Sequence, residues 1–205
     1  MKVKICGLST KAAVDTAVAG GADYLGFVFA ESKRRIAPQQ VRDITRDVPR
    51  SVKKVGVFVS PTLPELESMI VEAGLDLVQI HGEQPDGALS VPHIVARSAE
   101  QHLTMQELEQ LPGDYLLFDA PSGPYAGGNG QTFDWERLDL TLLRAKKVFI
   151  AGGLTSQNVA QAKAFFQPYA VDVSSGVETN GVKDIEKIKE FLKKAKEDTP
   201  YINNQ

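Results

Sequence analysis

The chain predicts a single-domain (β/α)8 barrel of the TIM-barrel class, on three observations. Eight short, apolar runs alternate with segments of helical periodicity. No stretch between them is long enough to separate two domains. The 205 residues bury a sizeable core without staples, although the length is at the small end for a barrel. An open doubly wound sheet is the runner-up, and eight regular units in this length favour closure. The barrel is expected over residues 1–196, with a polar tail over 197–205.

Lys2–Cys6 reads as the first strand, followed by a helix over Thr10–Gly20 that Ser9 or Thr10 caps and Gly20-Gly21 stops. Tyr24–Phe29 is almost wholly apolar, as suits a parallel strand covered on its outer side. After the basic loop Ser32-Lys33-Arg34-Arg35, Pro38 opens a helix to about Arg46, where its missing N–H costs nothing. Lys54–Val59 and Pro64–Ala73 repeat the unit, and Gly74 ends it. Leu75–Ile80 forms the fourth strand, with a short helix expected over Pro85–Leu89. His93–Arg97 and Asp114–Phe118 read as strands five and six around a helix over Met105–Gln110. The longest break, Ala120–Thr132, is rich in Gly, Pro and Ser, and a helix follows over Asp134–Leu143. Lys147–Ala151 and Ala170–Val173 are strands seven and eight. Their helices are Ser156–Phe166 and Asp184–Lys196, the second with Ile185, Ile188, Phe191 and Leu192 on one face.

Composition narrows the function classes. A net charge of −3 and a pI near 5.7 argue against nucleic acid as the main partner. One cysteine excludes an internal disulfide. No run approaches the roughly 18 apolar residues of a membrane span, and MKVKICGLST lacks a signal-peptide core, so a cytoplasmic location is expected.

In this fold the strand C-termini converge on the face that carries the chemistry. The polar residues there are Cys6, Arg34, Gln79, His81, Asp119, Asp172 and Ser174. Each also has a plain structural reading. Cys6, in particular, reads from its own stretch as a small buried apolar side chain, as most free cysteines are. His81-Gly82 reads as a structural hydrogen bonder. The collection is more telling, because acid, base and cation fall on one face.

The strongest signal is for phosphate. Ala151-Gly152-Gly153-Leu154 and Val173-Ser174-Ser175-Gly176-Val177 follow strands seven and eight, where this fold commonly binds phosphate through backbone N–H groups. The glycine run around Gly128 could add donors. A small phosphorylated molecule is the expected ligand, and the chain is expected to be a monomer or homodimer.

Lys4-Ile-Cys-Gly7, Gly26-Phe-Val-Phe29, Ser32-Lys-Arg34, Gln79-Ile-His-Gly82, Leu117-Phe-Asp119, Gly127 to Trp135, Ala151-Gly-Gly-Leu154 and Val171 to Glu178 together resemble the phosphoribosylanthranilate isomerase family of tryptophan biosynthesis. The resemblance runs from Lys2 to about Lys194. It implies an Amadori rearrangement of N-(5-phosphoribosyl)anthranilate to 1-(o-carboxyphenylamino)-1-deoxyribulose 5-phosphate, with no metal or organic cofactor. It implies Cys6 as general base, Asp119 as general acid and Arg34 as the anthranilate carboxylate ligand. Phosphate maps onto Gly152, Gly153, Ser174, Ser175 and Gly176. The chain departs from the family pattern at Ala37, where a capping Ser or Thr is usual, and at Ala96-Arg97, where a lysine is common. The rival readings are an epimerase, a thiamine phosphate synthase-like transferase and a non-catalytic phosphometabolite-binding barrel. An epimerase wants a His and Asp metal cluster, and only one of three histidines lies at a strand end.

Overall fold

The computed structural model describes residues 1–98, 104–119 and 146–197. Eight parallel strands close into a barrel: β1 (Lys2–Cys6), β2 (Tyr24–Val28), β3 (Lys53–Val59), β4 (Leu77–His81), β5 (His93–Ser98), β6 (Tyr115–Asp119), β7 (Lys147–Ala151) and β8 (Ala170–Val173). Each strand pairs with its successor, and β8 pairs back onto β1 through Lys4 opposite Asp172 and Ile5 opposite Val173. The helices are α1 (Lys11–Ala19), α2 (Pro38–Ile44), α3 (Leu63–Ala73), α4 (Met105–Gln110), α5 (Val159–Phe166) and α6 (Ile185–Lys196). A small hairpin, β9 (Glu178–Thr179) with β10 (Val182–Lys183), is inserted between β8 and α6. Among the described residues no helix is long and apolar enough to cross a membrane.

Strand residues alternate between the two faces of the sheet. Val3, Ile5, Leu25, Phe27, Val78, Ile80, Val171 and Val173 point outward into one apolar layer with Val14, Leu66, Ile70, Ile188 and Leu192 of the helices. Burying each such side chain fully contributes about 1.5–3 kcal/mol. The alternate positions Tyr24, Val55, Leu77, Ile94, Leu117, Phe149 and Ala170 fill the barrel interior. Its N-terminal end is closed by the Tyr24 and Tyr169 hydroxyls, which hydrogen-bond at 2.9 Å, with Tyr115 and Phe149 packed edge-on. One register step nearer the C-terminal rim the interior becomes polar.

Local signals set most boundaries. Thr10 caps α1, its Oγ1 accepting from Ala13 N, and Thr62 and Glu65 form a reciprocal capping box at α3. Ala37 at the start of α2 has no side-chain acceptor, but Gln40 Oε1 accepts from the Ala37 N–H at 3.2 Å, and Pro38 supplies the first helical turn.

Two expectations fail. Residues 85–89 form no helix, because Pro85 is soon followed by Gly87 at φ 115°, a value no helix accepts. And α5 begins at Val159 rather than Ser156, because Asn158 is used by the loop before it. Its Oδ1 accepts from Thr155 N–H at 2.8 Å and its Nδ2 donates to Gly153 O at 3.0 Å. The segment 120–132, the helix expected over 134–143, Gly128 and residues 198–205 of the tail lie outside the described residues.

Candidate functional site

Alternation along the strands decides which polar side chains meet. Val3 and Ile5 face the helices, so Lys4 and Cys6 face inward. By the same count Gln79 and His81 of β4, Asp119 of β6 and Asp172 of β8 are inward positions. The barrel thus brings together five of the strand-end residues singled out from sequence, and it adds Lys4, which that reading passed over.

Lys4 is fully buried, and its Nζ pairs with Asp172 Oδ2 at 2.9 Å. Burial pushes the ammonium down, but Asp172 and then Cys6 outweigh it and hold the Lys4 pKa above its ordinary value. Cys6 is the single thiol and is buried. Burial pushes its pKa up. Lys4 opposes that rise, Asp172 reinforces it and Lys183 opposes it, leaving the thiol above its usual range. The charges that lower it come from Lys4 and Lys183. Gly26, beside Cys6 in β2, leaves the thiol room: a methyl there would lie 2.9 Å from Sγ.

Asp119 opens to solvent at the rim, yet the surrounding wall removes enough water to push its carboxyl pKa up. Asp172 adds to the rise and Lys4 opposes it. The same buried pair therefore acts on both Cys6 and Asp119. His81 is pushed down by burial and by Lys4, so its ring is neutral at pH 7, and its Nε2 lies 2.8 Å from Gln79 Nε2. Gln79 Oε1 and Asp172 Oδ1 are buried acceptors with no hydrogen-bond partner among the described residues. Among those residues no three His, Cys, Asp or Glu side chains converge as they would around a metal ion.

Arg34 approaches from the loop after β2. Its Nε and Nη2 donate to Glu178 Oε1 and Oε2 at 2.6 and 2.8 Å, a bidentate pair. Lys183 Nζ shares Oε1 at 2.6 Å and donates to Ser174 O at 2.9 Å. The Arg34 hydrogen bonds hold the Glu178 carboxyl at about 2 despite burial, with Lys183 adding to the effect. Glu178 and Lys183 were not candidates from sequence. Glu178 lay inside a quoted motif without a role, and nothing local links Lys183 to a strand end.

The loops after β7 and β8 lie together. Gly152 and Gly153 have φ of 89° and 60°, so the chain turns sharply there. Ser175–Val177 forms one 3-10 turn. Gly176 sits so close to Leu154 that a methyl group would overlap the Leu154 carbonyl. The loop after β8 thus packs through Gly176 against Leu154, the residue that follows the Gly152-Gly153 turn.

Residues 3–194 match the family model described as N-(5'phosphoribosyl)anthranilate (PRA) isomerase. The chain is 53% identical over 201 residues to an N-(5'-phosphoribosyl)anthranilate isomerase of Streptococcus mutans, covering 95% of this chain and 98% of that protein. It is similar to the crystal structure of phosphoribosyl anthranilate isomerase from Thermus thermophilus, at 35% identity and a TM-score of 0.79, covering 95% of this chain and 98% of the other. It is also similar to a phosphoribosyl anthranilate isomerase in complex with reduced 1-(o-carboxyphenylamino)-1-deoxyribulose 5-phosphate, at 34% identity and a TM-score of 0.77, covering 96% and 98%. With nearly its whole length matched and the closed barrel in place, the chain belongs to the N-(5'-phosphoribosyl)anthranilate isomerase family.

Proposed function

We propose that this isomerase of tryptophan biosynthesis uses Asp119 as general acid and Cys6 as general base in an Amadori rearrangement. The reaction needs a proton delivered to the furanose ring oxygen as the C1′–O bond breaks, which gives a protonated imine. A carboxyl whose pKa is raised by its site is suited to that step. The imine acidifies the C2′ proton. A thiolate then removes it, giving an enolamine that tautomerises to the ketone. No atom is gained or lost.

The observation that carries this reading is the buried Lys4–Asp172 pair set between the two groups. Lys4 favours the Cys6 thiolate against burial and Asp172, which together still leave the thiol raised, and Asp172 favours the protonated Asp119 against Lys4. A buried ion pair is weak as a stability device, since apolar replacements are often neutral or better, so its position beside the thiol speaks for chemistry. The unpaired acceptors Gln79 Oε1 and Asp172 Oδ1 suit sugar hydroxyl donors. The substrate phosphate would lie on backbone N–H groups of the Gly152-Gly153 turn and the Ser174, Ser175 and Gly176 loop. Arg34 would hold the anthranilate carboxylate with the part of its planar fork that Glu178 leaves.

Loss of the fluorescence of N-(5-phosphoribosyl)anthranilate measures turnover. Cys6→Ala and Asp119→Asn should each lower kcat by about 10²–10⁴-fold with the melting transition retained. Near wild-type rates in both would sink the assignment.

A further inference from the structure

We propose that Glu178 is a positioning residue that fixes the Arg34 guanidinium for the ligand carboxylate and ties it to the loop after β8. The inference rests on the reading of Arg34 as the carboxylate ligand.

The geometry has three parts. Glu178 takes the Nε–Nη2 edge of Arg34 with both oxygens. A guanidinium has five N–H donors, so three remain for a second carboxylate. Glu178 is itself held by Lys183, and in β9–β10 the two residues are direct cross-strand partners. Their side chains are each 5% exposed, against 23% for Arg34, so the clamp is buried and the clamped group reaches toward solvent. Lys183 then bonds Ser174, in the loop assigned to phosphate. Arg34, Lys183 and Ser174 converge on Gly7, just after Cys6. A methyl there would meet Arg34 Cδ at 2.7 Å, Ser174 Oγ at 3.3 Å and Lys183 Nζ at 3.4 Å.

A free arginine loses rotamer entropy when it binds a ligand. One already held in a bidentate pair has lost it on folding. The cost of the clamp is a carboxylate near the ligand's own. Lys183 offsets that charge, leaving the trio at net positive one by count (two cations, one anion). Holding Arg34 should therefore favour binding over repelling the ligand.

The test is a double-mutant cycle on KM and kcat, using N-(5-phosphoribosyl)anthranilate generated in the assay. Glu178→Gln removes the charge. Glu178→Asp keeps it but is too short for the bidentate pair, and it carries the test if the first variant melts below assay temperature. Each should raise KM about tenfold with little change in kcat, the range expected for losing a charge-assisted hydrogen bond. In an Arg34→Ala background, the same substitutions should add almost nothing. Unchanged or lower KM in the Glu178 variants, or a full additive effect on top of Arg34→Ala, overturns the inference and leaves the Arg34 reading intact. Wild-type KM in Arg34→Ala alone overturns both.

Discussion

Cys6 meets two opposed influences. Burial favours the neutral thiol, and two lysines favour the thiolate. Lys4 does most of the opposing, and it stands two residues earlier on the same inward face of β1. Lys4→Met should therefore raise the thiol pKa. Because the chain has one cysteine, a thiolate absorbance titration taken as a difference from Cys6→Ser reads this directly. A midpoint unmoved by the substitution would remove Lys4 from the acid–base chemistry. The same variant leaves Asp172 buried and unpaired, a loss of about 3–5 kcal/mol by denaturant unfolding. Cys6 and Asp119 were legible because each is a polar group ending an apolar run. Lys4 was not. A lysine within a strand reads as solvated, and only its partner across the barrel seam, Asp172, some 170 residues later in the chain, makes burial tolerable.

Elements were legible where their signals are local. The cap at Thr10 and the stop at Gly74 each involve neighbours within a few residues. The late start of α5 was not, since Asn158 looks like any first-turn residue until Gly153 O is seen to need its amide. The two loops assigned to phosphate are also joined by a contact between elements. Gly176 has an ordinary φ, so its need for glycine is steric and comes from Leu154 in the neighbouring loop. Gly176→Ala should cost about 1–3 kcal/mol of stability, as overpacking does, and displace the loop. Weakened inhibition by inorganic phosphate, beside a lowered melting temperature, would show both effects. Wild-type values of both would mean that the two loops part without loss.

Across the whole molecule, acid and base stand on opposite sides of one polar layer, Asp119 on β6 and Cys6 on β1. Both are raised, and a raised carboxyl still loses its proton before a raised thiol. The productive form, protonated Asp119 with ionised Cys6, is then the minor arrangement of a shared proton. Its fraction is constant between the two pKa values. It falls below the lower one, where the pair takes up a second proton, and above the upper one, where the pair has lost both. The predicted profile of kcat/KM against pH is a plateau with a limb on each side. Lys4→Met should lower the plateau and move the upper limb to higher pH. An upper limb that ignores this substitution would detach it from Cys6.

The sequence by itself determined the eight-fold alternation, the strand ends that carry polar groups and the two glycine-bearing loops, because strand periodicity, capping and turn chemistry act over a few residues. Tertiary structure decided which of those polar groups share an environment. Closure of β8 onto β1 sets Lys4 against Asp172, and the β9–β10 hairpin carries Glu178 and Lys183 to Arg34. Charges act through space at distances that only folding creates, so the pKa values of Cys6 and Asp119, and the hold on Arg34, belong to the barrel rather than to any segment of it.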